Sequence, residues 1–143
     1  MIHGFLKACT VSPALRVADC AFNTQQTIAA MQRAALDGAQ LAVFPELGLT
    51  GYTCGDLFLS ALLLDAAEEA LLNICAHTQN CDPVVVLGVP LRAGGKLYNC
   101  AAVVCHGKLL GLVPKTHLPN YGEFYEKRQF NPAPAGVRTL HFA

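Results

Sequence analysis

A chain of 143 residues with ten Lys and Arg against ten Asp and Glu carries no net charge, which removes the electrostatic case for a nucleic acid or an anionic membrane as partner. Hydrophobic residues make up 53% and charged residues only 14%, well under the usual quarter or so, so part of the surface is expected to lie against more chain, another domain or another subunit. Seven cysteines, an odd number without a Cys-x-x-Cys pair, imply neither a disulfide framework nor a metal site and fit a reducing, cytoplasmic compartment.

In chain order, a first strand is expected over Gly4–Val11, ended by Ser12 and Pro13. The opening residues are too interrupted for a signal peptide. A helix follows over about Cys20–Leu36, with Ile28, Met31 and Ala35 on one face and Gly38 placed for a left-handed C-terminal cap. "QLAVFPE" is a short continuous apolar run, as a strand covered on both faces would show, and Pro45 stops it. A second helix is expected from Leu57 or Ser60 to Thr78, because Leu63, Ala66, Ala67, Ala70, Leu71 and Ile74 recur at helical spacing.

"DPVVVLGVP" then reads as another inner strand, β-branched and apolar. "KLYNCAAVVCHGKLLGLVPK" reads as a hairpin turning at His106-Gly107. "THLPNYGEFYEKRQFNPAPAG" is a long irregular stretch, of a length that is usually functional or disordered, and its aromatics argue against disorder. A last strand is expected at "VRTLHFA". Strands alternating with helices indicate one layered α/β domain over 1–143. No repeat or linker interrupts it, and the absence of a closing helix suggests a cut chain.

Two charged residues stand at the C-terminal ends of the expected inner strands: Glu46 after "LAVFP" and Lys115 after "LLGLVP". Ligand sites of open α/β sheets gather beyond those ends. If the strands are neighbours, the carboxylate and the ammonium converge, and the carboxylate in an apolar setting serves as a proton acceptor. A structural ion pair, or a Glu capping the next helix, fits the spacing equally well.

"FPELGLTGY" and "PKTHLPNYGEFYEKRQF" closely resemble the nitrilase, or carbon–nitrogen hydrolase, superfamily. Within it, "YTCGDLF" and "LPNYGEFYEKRQF" resemble the glutaminase domain of glutamine-dependent NAD⁺ synthetases. The resemblance spans essentially the whole chain. It implies an α/β fold, about the first half of a four-layer α-β-β-α sandwich, and glutamine as substrate. It also implies a Glu-Lys-Cys triad, with Glu46 as proton acceptor and Lys115 stabilising the oxygen charge of the attacked amide. Glu126 matches a second glutamate that holds the Lys; its plain alternative is a solvated partner of Lys127 or Arg128. Tyr52 and Phe124 match substrate-pocket positions and are alternatively ordinary core aromatics.

The family's nucleophilic Cys falls well downstream of the Lys, and no residue after Lys115 is a cysteine. None of the seven cysteines matches that motif, so the nucleophile is expected outside this chain and the segment alone is expected to be inactive. Cys54, eight residues from Glu46, is expected to be an inert buried thiol. The resemblance further implies a C-terminal synthetase domain, absent here, as partner and user of ATP and Mg²⁺. It implies a homo-oligomer as well. Gly94-Gly95 reads as a turn between strands rather than a phosphate loop, since no helix follows it. A stand-alone amidase of the same superfamily and a non-catalytic scaffold are the other readings.

Overall fold

The computed structural model describes residues 4–137 and 139. Strands β1 (Ala8–Thr10), β2 (Leu41–Val43), β3 (Val84–Ala93), β4 (Lys96–Cys105) and β5 (Lys108–Pro114) form one sheet in that spatial order. β1, β2 and β3 run parallel, whereas β3, β4 and β5 pair antiparallel. Helices α1 (Cys20–Leu36) and α2 (Ala61–His77) make the crossovers between the parallel strands, as such connections require. β2, β3 and β5 therefore all end at the same edge of the layer.

α1 begins where the Asp19 carboxylate accepts a hydrogen bond from the Phe22 amide at 3.0 Å, satisfying one of the free donors of the first turn. It closes at Gly38, whose φ is +76° and whose amide donates to Ala35 O. α2 buries Leu63, Leu64, Ala67, Ala70, Leu71, Ile74 and Cys75, the expected face apart from a partly buried Ala66. Of the two expected starts it takes the later, with Ser60 as N-cap, because a 3-10 segment over Tyr52–Leu59 comes first. The buried face of α1 differs from the expected one. Met31 is on it, but Ile28 and Ala35 lie at its margin, while Asn23, Thr24 and Thr27 are buried. Asn23 explains this placement, since its amide donates to Leu49 O and Arg16 O and ties two loops to the helix.

Side chains alternate across each strand. Ala42, Val85, Leu87, Val89, Ala102 and Val104 are fully buried on one face. Val43, Val86, Ala101 and Val103 on the opposite face are only partly buried, and Val113 is exposed. One face of the sheet is thus packed and the other is open.

The hairpin reading of 96–115 matches the structure, with His106 and Gly107 both at positive φ in the turn, the conformation a two-residue hairpin loop requires. Gly94-Gly95 is the turn of a second hairpin, β3–β4. Three strand expectations change. The first strand is only Ala8–Thr10, and the second stops at Val43, where Phe44, its amide still donating to Val86 O, and Pro45 lead to a turn that starts at Glu46. "VRTLHFA" lies mostly outside the described residues, and Val137 and Thr139 belong to no strand.

Candidate active site

β2 and β5 are not neighbours; β3 and β4 lie between them. Three steps of about 4.8 Å separate the strand axes, too far for Glu46 and Lys115 to meet from straight strand ends. They meet because the turn after β2 crosses β3. Gly88 makes this crossing possible: a Cβ there would stand 2.2 Å from Leu47 N and 2.4 Å from Pro45 O. Leu47, fully buried with φ +51°, and the Leu49 amide bound to Gly88 O at 3.3 Å fix the turn in that position. Asn23 holds its exit through Leu49 O.

On the other side, Lys115 extends β5 by one residue, its amide donating to Asn99 O at 2.7 Å. The Lys115 Nζ donates to Glu46 Oε1 at 2.7 Å and to Glu126 Oε1 at 2.9 Å. Tyr52 OH donates to the same Glu126 oxygen at 2.7 Å, and Asn99 Nδ2 donates to Glu46 Oε1. Five side chains from five separate segments thus form one hydrogen-bonded chain: Asn99, Glu46, Lys115, Glu126, Tyr52.

The expectation of an apolar, buried setting for Glu46 is corrected. Its side chain is 43% exposed, because it sits on the turn beyond the strand, at the rim of the open face. Glu126 is the buried carboxylate, at 5% exposure. Its Oε2 has no hydrogen-bond partner. Glu126 is not the solvated partner of Arg128, whose guanidinium makes two hydrogen bonds to Asp56 at 2.8 and 2.9 Å.

Partial burial of Lys115 disfavours its charge, but the hydrogen bonds and charges of Glu46 and Glu126 together outweigh burial and raise its pKa above the ordinary lysine value. It is a fixed cation. Desolvation and the Glu126 carboxylate push the Tyr52 phenol well above its ordinary range, so it stays a donor. The site therefore pairs a half-exposed carboxylate, able to take and return a proton, with a permanent positive charge at hydrogen-bond distance.

Of the expected pocket residues, Tyr52 joins the polar chain. Phe124 lies beside it, packed edge-on against Tyr121 with centroids 5.9 Å apart. Phe124, Tyr52, Phe58, Glu126 and Phe130 border a cleft of about 160 Å³. A second concavity on the open face runs from Val86 and Val113 to Glu46, Asn99, Lys115 and His117. The motifs did not point to Gly88 or Asn99. A lone glycine and a lone polar residue in otherwise apolar strands were the available signals, as each marks a place where the sheet meets something other than a hydrophobe.

No cysteine here hydrogen-bonds to Glu46 or Lys115 among the described residues. The Cys54 thiol is buried, donates to Thr50 O and has its pKa raised by desolvation. None of the seven thiols is in a disulfide. Among the described residues, no group of three or more His, Cys, Asp or Glu is arranged to hold a metal ion, and no helix is long and apolar enough to cross a membrane. The β3–β4 turn at Gly94-Gly95 leads into a strand, so it offers no helix N-terminus for a phosphate.

Residues 7–140 match the family described as carbon-nitrogen hydrolase. The glutamine-dependent NAD(+) synthetase of Mycobacterium tuberculosis is 43% identical over 138 residues, covering 96% of this chain and 20% of that protein. The crystal structure of the glutamine-dependent NAD(+) synthetase from Cytophaga hutchinsonii superposes with a TM-score of 0.88 at 30% identity, over 96% of this chain and 23% of that one. An amidase from Nesterenkonia sp. superposes at 0.74 with 25% identity, over 96% of this chain and 51% of the amidase. The chain spans about a fifth of the length of the synthetases it matches.

Proposed function

The chain belongs to the carbon-nitrogen hydrolase family, and from that premise we propose that it is the N-terminal part of a glutaminase domain that releases ammonia from glutamine for NAD⁺ synthesis. The observation that carries this reading is the Lys115 Nζ shared between Glu46 Oε1 and Glu126 Oε1 at 2.7 and 2.9 Å, in a chain similar to glutamine-dependent synthetases.

In this reading, a cysteine outside this chain attacks the side-chain amide carbon. Glu46 takes the thiol proton and passes a proton to the departing ammonia, so one group serves both halves of the transfer. Lys115 faces the oxygen that becomes negative in the tetrahedral intermediate, where a preorganised charge is most effective. Glu126 and Tyr52 keep Lys115 aimed, and Tyr52 and Phe124 border the side-chain cleft. The thioester left on the cysteine is hydrolysed by water, again through Glu46. This chain alone, with its thiols buried or remote from Glu46, releases no ammonia.

ATP and Mg²⁺ belong, in this proposal, to a synthetase domain carried elsewhere in the polypeptide. Ammonia passed inside one protein reacts before water dilutes it, which explains joining the two activities. The setting is the cytoplasm and the assembly a homo-oligomer.

The similarity to an amidase supports one other reading, a stand-alone amidase. Both are tested in the polypeptide that carries this chain together with its nucleophile. Glu46→Gln and Lys115→Ala should each abolish glutamine-dependent NAD⁺ formation and leave ammonia-dependent formation intact. Hydrolysis of simple amides in preference to glutamine, with no synthesis of NAD⁺, would favour the amidase.

A further inference from the structure

Glu46 receives two donors on the same oxygen. Lys115 Nζ reaches Oε1 at 2.7 Å, and Asn99 Nδ2 reaches Oε1 as well. Asn99 belongs to β4, lies directly beside Lys115 in the antiparallel pairing and is 3% exposed. Its side chain is shielded from solvent, and only its NH₂ end can face a carboxylate, since two acceptors would repel. The same residue's backbone oxygen accepts the Lys115 amide at 2.7 Å. Asn99 therefore touches both charged groups, one through its side chain and one through its main chain.

We propose that Asn99 is a positioning residue which pins Oε1 of Glu46 and leaves Oε2 as the oxygen that exchanges protons. A half-exposed glutamate on a turn has several accessible rotamers, and one partly exposed ion pair restricts them only a little. A buried amide on a sheet strand removes that freedom. It also divides the carboxylate: the oxygen holding two donors is the weaker base, which leaves Oε2, on a side chain that lines the open-face concavity. The titratable groups around Glu46 are Lys115, Glu126 and Tyr52, with His117 on the same concavity.

This inference rests on the proposed amide hydrolysis, but its test does not depend on that reaction alone. In the polypeptide that carries this chain, Asn99→Ala should lower kcat about tenfold to a hundredfold, the range for losing a hydrogen bond to a charged group. KM should stay within about threefold, since Asn99 acts on the base and not on the substrate. The acid limb of the kcat profile should move to higher pH. Asn99→Asp, of equal size, should move it further by adding a second negative charge. An unchanged acid limb, or a rise in KM with kcat intact, would overturn the proposal. If the wild-type protein does not hydrolyse glutamine, the function reading fails, and the titration of the ¹³C-labelled Glu46 carboxylate then decides about Asn99. A midpoint higher in either variant than in wild type supports the role; an equal midpoint in both refutes it.

Discussion

Lys115 is held by two carboxylates, yet only one of them is placed to act on anything outside the pair. Glu126 is buried and fixed from both sides by Lys115 and Tyr52, whereas Glu46 stands half exposed at the rim. Burial thus separates two chemically identical groups, and in the proposed reaction the buried one is the support and the exposed one the reactant. The thiols show the same control by environment. Desolvation pushes Cys100 from 9.0 up to about 12, and it is 3% exposed. Below pH 9 both folded and unfolded forms keep this proton. Above it the unfolded chain loses the proton while the folded chain retains it, so stability falls by about 1.4 kcal/mol per pH unit until the folded thiol also ionises. Urea unfolding of wild type and Cys100→Ala between pH 8 and 10 should show the smaller alkaline loss in the variant. Equal losses would place Cys100 in a wetter environment than the structure gives it.

At the scale of elements, the decisive feature is a turn that climbs over a strand. Gly88 has no special φ; it is needed because Leu47 N would lie 2.2 Å from any Cβ. Gly88→Ala must push the Pro45–Leu47 backbone away and carry Glu46 with it. The expected outcome is a destabilisation of about 1–3 kcal/mol, the usual cost of overpacking, together with a loss of Glu46-dependent activity. Gly111→Ala is the control, because a Cβ there meets nothing within 4 Å. Equal behaviour of the two variants, in urea midpoints and in amide hydrolysis, would count against the crossing turn as the device that brings Glu46 to Lys115.

Much of this layer was legible from the residues. The two helices and the β4–β5 hairpin follow from periodicity and from turn residues, which are local signals. The expected polar contact between strand ends was legible too, but for an incomplete reason. It supposed neighbouring strands, while β2 and β5 are three places apart. No local pattern announces that a turn will cross β3, since the cause is a missing side chain forty-one residues later. The buried face of α1 was misread for a related reason: Asn23 is internal because it serves loop carbonyls, a tertiary demand that overrides hydrophobic periodicity.

For the molecule as a whole, the sheet joins residues far apart in sequence and leaves one face open beside them. Glu46, Asn99, Lys115 and Glu126 come from the turn after β2, from β4, from the end of β5 and from the irregular stretch 116–136. The irregular stretch is held by side chains and by isolated main-chain bonds, the Asn131 and Ala133 amides donating to Leu97 O and Lys115 O. Arg128 grips Asp56, and Phe130 packs on Phe58 with centroids 5.0 Å apart, which keeps Glu126 under Lys115. Val113 is exposed, and Val43, Val86, Ala101 and Val103 are only partly covered on the open face; an apolar surface of this kind marks a place for further structure.

The central claim is that Glu46 and Lys115 work as one unit on one amide. A double-mutant cycle on kcat/KM for glutamine in the polypeptide that carries this chain measures it directly. Glu46→Gln and Lys115→Met should each cost about a thousandfold or more, and the double variant should be no worse than the poorer single, as expected of groups that act together. Losses that simply multiply in the double variant would show two independent residues and would contradict the account.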